Sequence, residues 1–128
     1  MAITLFTFAA AFTLCAEAPR INCVVDGDTF WMNGEKVRLA DINAPETTGA
    51  ACAEERALGQ RTRLRLLGLL NAGPFTLEVS GRPTDRYGRA LRVARRHGRS
   101  LGDVLVSEGL AEPWRGRRSD WCTMLAVR

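Results

Sequence analysis

A chain of 128 residues, 46% hydrophobic and 25% charged, has the composition of an ordinary globular domain with a modest core, and it carries no internal repeat or low-complexity segment. Its net charge of +4 is almost entirely arginine, with Lys36 the single lysine; the planar guanidinium fork suits a phosphate-bearing partner, although GC-rich codon usage accounts for part of the bias. Four well-separated cysteines without a C-x-x-C pair, and one histidine, exclude the usual zinc sites.

Residues 1–20 are ambiguous. Ile3–Leu14 is apolar and uncharged, and Ala16-Glu17-Ala18 resembles a small-residue cleavage site, but the positive charge expected ahead of a secretory leader is missing. The rival reading is a first strand over Thr4–Cys15. The domain proper is expected over residues 21–128. Val24–Met32 and Val37–Ile42 are expected as the two arms of a hairpin around Asn33-Gly34. One open end of that hairpin carries Asp26 and Asp28, the other carries Asn43 and Glu46, so these oxygen-bearing groups should converge, with Arg38 on the return arm aimed at the same place. Such a cluster suits a hard cation holding a phosphate.

Ala53–Leu70 is expected as the long helix, its apolar face formed by Ala57, Leu58, Leu64, Leu66, Leu67, Leu69 and Leu70, with Glu54 and Glu55 favouring its N-terminal dipole. Asn71-Ala72-Gly73-Pro74 stops it. Phe75–Val79 and Ala90–Arg95 alternate as strands. Ser100 with Asp103 opens a short helix that runs through Glu108 and ends at Gly109. Glu112–Cys122 has no clean period and is locally basic through Arg115, Arg117 and Arg118. The three tryptophans are read as core or edge packing and His97 as an exposed turn residue. Several short strands with one long and one short helix make an α+β protein.

Asp26-Gly27-Asp28-Thr29, Arg38-Leu39, Ala44-Pro45-Glu46, Asp85-Arg86-Tyr87-Gly88-Arg89 and the closing Leu105-Val106-Ser107-Glu108-Gly109-Leu110-Ala111 together resemble the staphylococcal nuclease (thermonuclease) family, from about Asn22 to Trp114. The resemblance implies a five-stranded OB-fold barrel with about three helices. It also implies a calcium-dependent endonuclease that acts on DNA, RNA or both and leaves 3′-phosphates. Its metal ligands would be Asp28, Asn43 and the backbone carbonyl of Ala44. Glu46 would activate water, and Arg38 and Arg89 would clamp the phosphate. Arg86 and Tyr87 would contact substrate, Tyr87 by stacking or by a hydrogen bond, against the alternative that it packs beside Gly88. Asn43 departs from the family, which has an aspartate there. Asp41, two residues earlier on an extended strand, would share its face and could compensate.

A non-catalytic OB-fold module that holds nucleic acid is the alternative. A structural or partner-binding domain is the third reading. A monomer with no membrane partner is expected. The family's habit and the cysteines point to a secreted or periplasmic protein, with Cys15 paired to Cys23 and Cys52 to Cys122; the alternative is four buried thiols in a cytoplasmic protein.

Overall fold

In the computed structural model, residues 11–126 and the backbone of residues 3–6 are described. The hairpin around Asn33-Gly34 is present. Strand β4 (Thr29–Met32) pairs antiparallel with β5 (Glu35–Leu39), and Asn33 (φ 52°) and Gly34 (φ 80°) both adopt the left-handed conformation that a two-residue type I′ turn requires.

Each arm, however, is interrupted. Val24–Met32 is not one strand: β3 (Cys23–Asp26) turns at Gly27-Asp28 and folds back on β4, with Val24 opposite Phe30 and Asp26 opposite Thr29. The register slips between Val24 and Asp26, a bulge of the kind that re-aims a side chain. The turn is pressed onto a helix, since a Cβ on Gly27 would lie 2.2 Å from Cγ2 of Thr62, so only glycine fits there. The second arm breaks after Leu39. The guanidinium of Arg38 donates to the carbonyls of Leu39 and Ile42 across the bend, and β6 (Ile42–Asn43) leaves the sheet to pair with β10 (Glu112–Pro113).

Helix α1 (Ala53–Asn71) follows the expected bounds to within a residue. Its buried stripe is Glu55, Leu58, Gly59, Thr62, Leu66, Leu69 and Leu70, spaced by three and four. Ala57 is exposed and Leu64 is 54% exposed, so the face expected from apolar residues alone was too broad, and small or polar residues complete the true one. β7 (Phe75–Glu78) pairs with β8 (Ala90–Arg96), and β8 runs parallel to β5, with Val37 opposite Ala90 and Arg38 opposite Leu91. The short β9 (Arg99–Ser100) folds back antiparallel on the end of β8, and α2 (Leu101–Ser107) starts at Ser100, whose hydroxyl accepts the Asp103 N–H at 3.2 Å. α3 (Trp121–Ala126) forms in the stretch that showed no period.

The expected Thr4–Cys15 strand appears as β1 (Ile3–Phe6), paired with β7, and β2 (Thr13–Leu14), parallel to β3, while residues 7–10 lie outside the described ones. Phe12 is buried, its ring edge-on to Phe30 at 6.0 Å. The architecture is thus α+β with three helices. The main ladder runs β1-β7-β8-β5-β4-β3-β2 as an open path longer than the expected five strands, and among the described residues no ladder closes it into a barrel. Val24, Phe30, Val37, Leu39, Ile42, Leu66, Leu70, Phe75 and Leu105 form the core between sheet and helices, each contributing roughly 1.5–3 kcal/mol by burial.

Cys15 is bonded to Cys23 and Cys52 to Cys122, the expected pairing. The second bond joins the N-cap of α1 to α3 across 70 residues. Closing so long a loop restricts the unfolded chain, so replacing both cysteines by serine should cost about 2–4 kcal/mol in urea unfolding. An unchanged midpoint would mean that the bond constrains little.

Candidate active site

One cleft of about 820 Å³ collects the acidic ends of the hairpin and most of the arginines singled out in the sequence. Asp28 sits at its floor, 7% exposed. Oδ2 of Asp28 accepts the Ala44 N–H at 3.0 Å, and Oδ1 accepts the Thr29 hydroxyl at 3.0 Å. The Asp28–Ala44 bond ties the turn ahead of β4 to the segment after β6, which is how the two ends of the hairpin meet. Arg38 lies beside them, Nη2 at 3.5 Å from Oδ2 of Asp28.

Glu46 stands on a loop held from three sides. Pro45 is buried and limits the backbone before it. Gly59 of α1 brings the helix so close that a Cβ there would lie 2.4 Å from the Glu46 carbonyl oxygen. The carboxylate of Glu55, 6% exposed, accepts the N–H of Glu46 and the N–H of Ala51, each at 3.0 Å. Next along the loop, the Thr47 hydroxyl donates to Asp26 at 2.7 Å, so Asp26 braces the loop. Burial pushes the Glu46 carboxyl above the usual carboxylate range; the Arg118 guanidinium, 2.7 Å away, opposes this, and Asp26, Asp28 and Glu55 reinforce it.

Arg89 comes to the cleft because β8 lies parallel to β5: Leu91 stands opposite Arg38, two residues beyond Arg89. Asp85 holds it, accepting Nε of Arg89 at 2.6 Å and the backbone N–H groups of Tyr87 and Arg89. Burial tends to raise the Asp85 carboxyl, but these bonds outweigh it and keep it low. Nε makes this pair, and the Nη groups of Arg89 make no hydrogen bond among the described residues. Tyr87 is 69% exposed, with the guanidinium groups of Arg86 and Arg89 at 5.0 and 5.4 Å from its ring, so it does not pack away beside Gly88.

Asn43 is buried, and the amide orientation its neighbours require directs its oxygen to the backbone N–H of Ser119 at 3.2 Å and to Nε1 of Trp121 at 3.3 Å. Asp41 does not share its face. The bend at Ala40-Asp41 breaks the strand alternation, and Asp41 accepts the Ser100 hydroxyl at the start of α2, outside the cleft. It cannot compensate for Asn43. Trp114, expected as packing, is 42% exposed at the cleft wall with the Arg38 guanidinium 5.5 Å from its ring.

The oxygen atoms of Asp28, Asp26 and Glu46 are of the type a hard cation takes, and positive charge beside them would oppose the effect of burial on the Glu46 carboxyl, as Arg118 does. A tighter cluster, Cys52, Glu55 and Cys122, is a disulfide beside a carboxylate already committed to two N–H groups, and it offers no metal site.

Sequence reasoning missed Glu55, Thr47 and Arg118. Glu55 carried a signal, since it lies three residues after the N-cap Cys52, where a capping glutamate belongs, although it reaches past the cap to Glu46 and Ala51. Arg118 carried only local charge. Glu55→Gln would set an amide NH₂ against one of two backbone N–H donors and leave a buried donor unpaired, at a cost of about 1–3 kcal/mol. Faster amide exchange at Glu46 and Ala51, alongside a lower unfolding midpoint, would register this. Unchanged exchange at both would show that the loop does not depend on Glu55.

Among the described residues no helix is long and apolar enough to cross a membrane. The chain is 35% identical over 94 residues to the succinoglycan biosynthesis protein ExoI of Rhizobium meliloti (strain 1021), an alignment covering 69% of this chain and 48% of that protein. It is 34% identical over 97 residues to endonuclease YncB of Bacillus subtilis (strain 168), covering 71% of this chain and 45% of the relative. The SPbeta prophage-derived endonuclease YokF of the same organism matches at the same identity, over 71% of this chain and 32% of its own length. The chain therefore spans less than half of the curated relatives it matches. The model of the family described as staphylococcal nuclease homologue matches residues 36–122, from Lys36 in β5 to the disulfide cysteine of α3, and the chain belongs to that family.

Proposed function

We propose that this protein is a calcium-dependent endonuclease of the thermonuclease type, built on an OB-type scaffold, that hydrolyses phosphodiester bonds in DNA, RNA or both. The observation that supports this most is the meeting in one cleft of a pinned carboxylate, Glu46, with Asp28 and with Arg38 and Arg89. The two Bacillus subtilis relatives are named as endonucleases, which agrees with it. The two disulfides suit export to an oxidising compartment.

In this reading Glu46 takes a proton from water, or orients it, for in-line attack on phosphorus. Burial raises the proton affinity of its carboxylate, and the Glu55 and Gly59 contacts fix its backbone. Arg38 and Arg89 are fixed cations facing the charge that builds on the phosphoryl oxygens, and Asp28 and Asp85 hold their guanidinium groups in place. Tyr87, exposed and flanked by two arginines, offers a face for a base, and Arg86 adds attraction for the strand. Asp28 and the carbonyl of Ala44 would hold calcium, and Asn43 would join them only with its oxygen released from Ser119 and Trp121; calcium there would supply positive charge beside the phosphate.

The bond between the Asn43 oxygen and the C-terminal segment favours the second reading, a module that holds nucleic acid without cutting it. A nuclease assay on plasmid and single-stranded DNA, with calcium and with chelator, separates the two. Cutting in calcium that chelator abolishes is expected, and binding without cutting would establish the module instead.

Glu46→Gln should lower turnover by ~10²–10⁴ while DNA affinity stays within a few-fold of wild type. Undiminished cutting would remove Glu46 from the mechanism. Arg38→Lys and Arg89→Lys keep the charge and lose the fork, and each should slow cutting by ~10²–10³, far more than Arg86→Lys. Equal, small effects at the three positions would reduce the arginines to a diffuse patch. Asn43→Asp adds an anionic oxygen, so it should tighten calcium in calorimetric titration and lower the calcium needed for half-maximal cutting. Neither change would be seen if Asn43 stays turned to Ser119 and Trp121 throughout.

A further inference from the structure

The segment between β10 and α3 carries three arginines in different settings. Arg115 pairs with Glu112 at 3.5 Å and stays outside the cleft. Arg117 and Arg118 line the cleft, both exposed. Arg117 makes no ion pair among the described residues. Arg118 reaches Glu46 at 2.7 Å with its side chain 73% exposed, the class of pair that contributes least to stability and exchanges partners readily.

This segment is anchored at both ends. On one side β10 pairs with β6, and the Trp114 N–H donates to the Asp41 carbonyl at 3.0 Å. Within it, Ser119 donates its hydroxyl to Glu112 at 2.8 Å and its N–H to the Asn43 amide oxygen. On the other side Trp121 is buried and Cys122 is bonded to Cys52 at the N-cap of α1. Two exposed guanidinium groups are thus presented from a braced loop on the wall of an otherwise acidic-floored cleft.

We propose that Arg117 and Arg118 form a phosphate-binding subsite on the rim of the cleft, which takes a backbone phosphate next to the scissile one. Arg118 exchanges Glu46 for that phosphate as the strand binds, which frees the Glu46 carboxylate when it is needed. This rests on the nuclease reading of the cleft. The same Asn43 bond that turns its oxygen from the cleft holds the subsite in place, so Asn43 supports the rim.

The test is fluorescence anisotropy of a labelled single-stranded oligothymidylate in chelator, over a range of salt. Each phosphate contact on a single strand contributes ~0.7 to the slope of log affinity against log salt. The double variant Arg117→Ala/Arg118→Ala should lose about 0.7 of that slope and bind more weakly at low salt, while its affinity for a nucleoside monophosphate, which carries no neighbouring phosphate, is retained. Arg115→Ala removes one positive charge from the same segment and should leave the slope unchanged. Glu46→Gln should tighten binding of the oligonucleotide by no more than a few-fold, and that gain should vanish when Arg118 is alanine. A wild-type slope in the double variant, an equal loss in Arg115→Ala, or a Glu46→Gln gain that persists without Arg118 would each overturn the subsite. Failure of the wild type to bind any strand in a salt-dependent way would instead overturn the nucleic-acid reading beneath it. Equal unfolding midpoints for the three arginine variants, expected for exposed side chains, exclude misfolding as the cause.

Discussion

The buried carboxylate of Glu55 holds the N–H groups of Glu46 and Ala51, and the placement of the cleft's central carboxylate depends on that pair of bonds. Charge-assisted bonds away from water are stronger than neutral ones and costly to break, so the loop has one favoured position. Gly59 sets the distance, because nothing larger than a hydrogen fits between α1 and the Glu46 carbonyl. The Cys52–Cys122 bond closes the same corner from the far end of the chain. Helix α1 is therefore more than a cover for the sheet. It carries the frame on which Glu46 is mounted.

A second constraint acts on the sheet side. The bend after Leu39 would leave carbonyls of Leu39 and Ile42 poorly partnered, and Arg38 donates to both while its guanidinium also faces Asp28 and the Trp114 ring. One side chain thus shapes the bend and lines the cleft. Arg89 shows the same economy in a different form: Asp85 takes its Nε and two backbone N–H groups, which makes the turn and aims the arginine together. In the proposed reaction, cations held this way would lose little further freedom on meeting a phosphate, which is what electrostatic stabilisation of a developing charge requires.

The floor of the cleft is acidic and its rim is basic, and the two are joined by the Arg118–Glu46 contact. A polyanion approaching this surface meets Arg86, Arg117 and Arg118 before it meets Asp28 or Glu46. Attraction at the rim offsets repulsion at the floor, so a net charge of only +4 is compatible with phosphate binding because the charge is unevenly distributed.

Local chemistry determined a good deal without any tertiary information. Asn33-Gly34 specified its turn through positive φ, Ser100 specified the start of α2 through its hydroxyl, and Asn71 to Pro74 ended α1. Hairpin geometry anticipated that Asp28 and Glu46 would share one cleft, and the family motifs picked out Arg38 and Arg89, which line it. What required the tertiary structure was the choice between partners far apart in the chain. Asp41 turned to Ser100, Asn43 to Ser119 and Trp121, Glu55 to the Glu46 loop and Arg118 to Glu46. Alternation and helical period state which residues share a face only while an element stays regular. The bends at Gly27-Asp28 and Ala40-Asp41, and the aperiodic segment before α3, end that regularity, and beyond such points direction is decided by packing against whatever element the fold brings alongside.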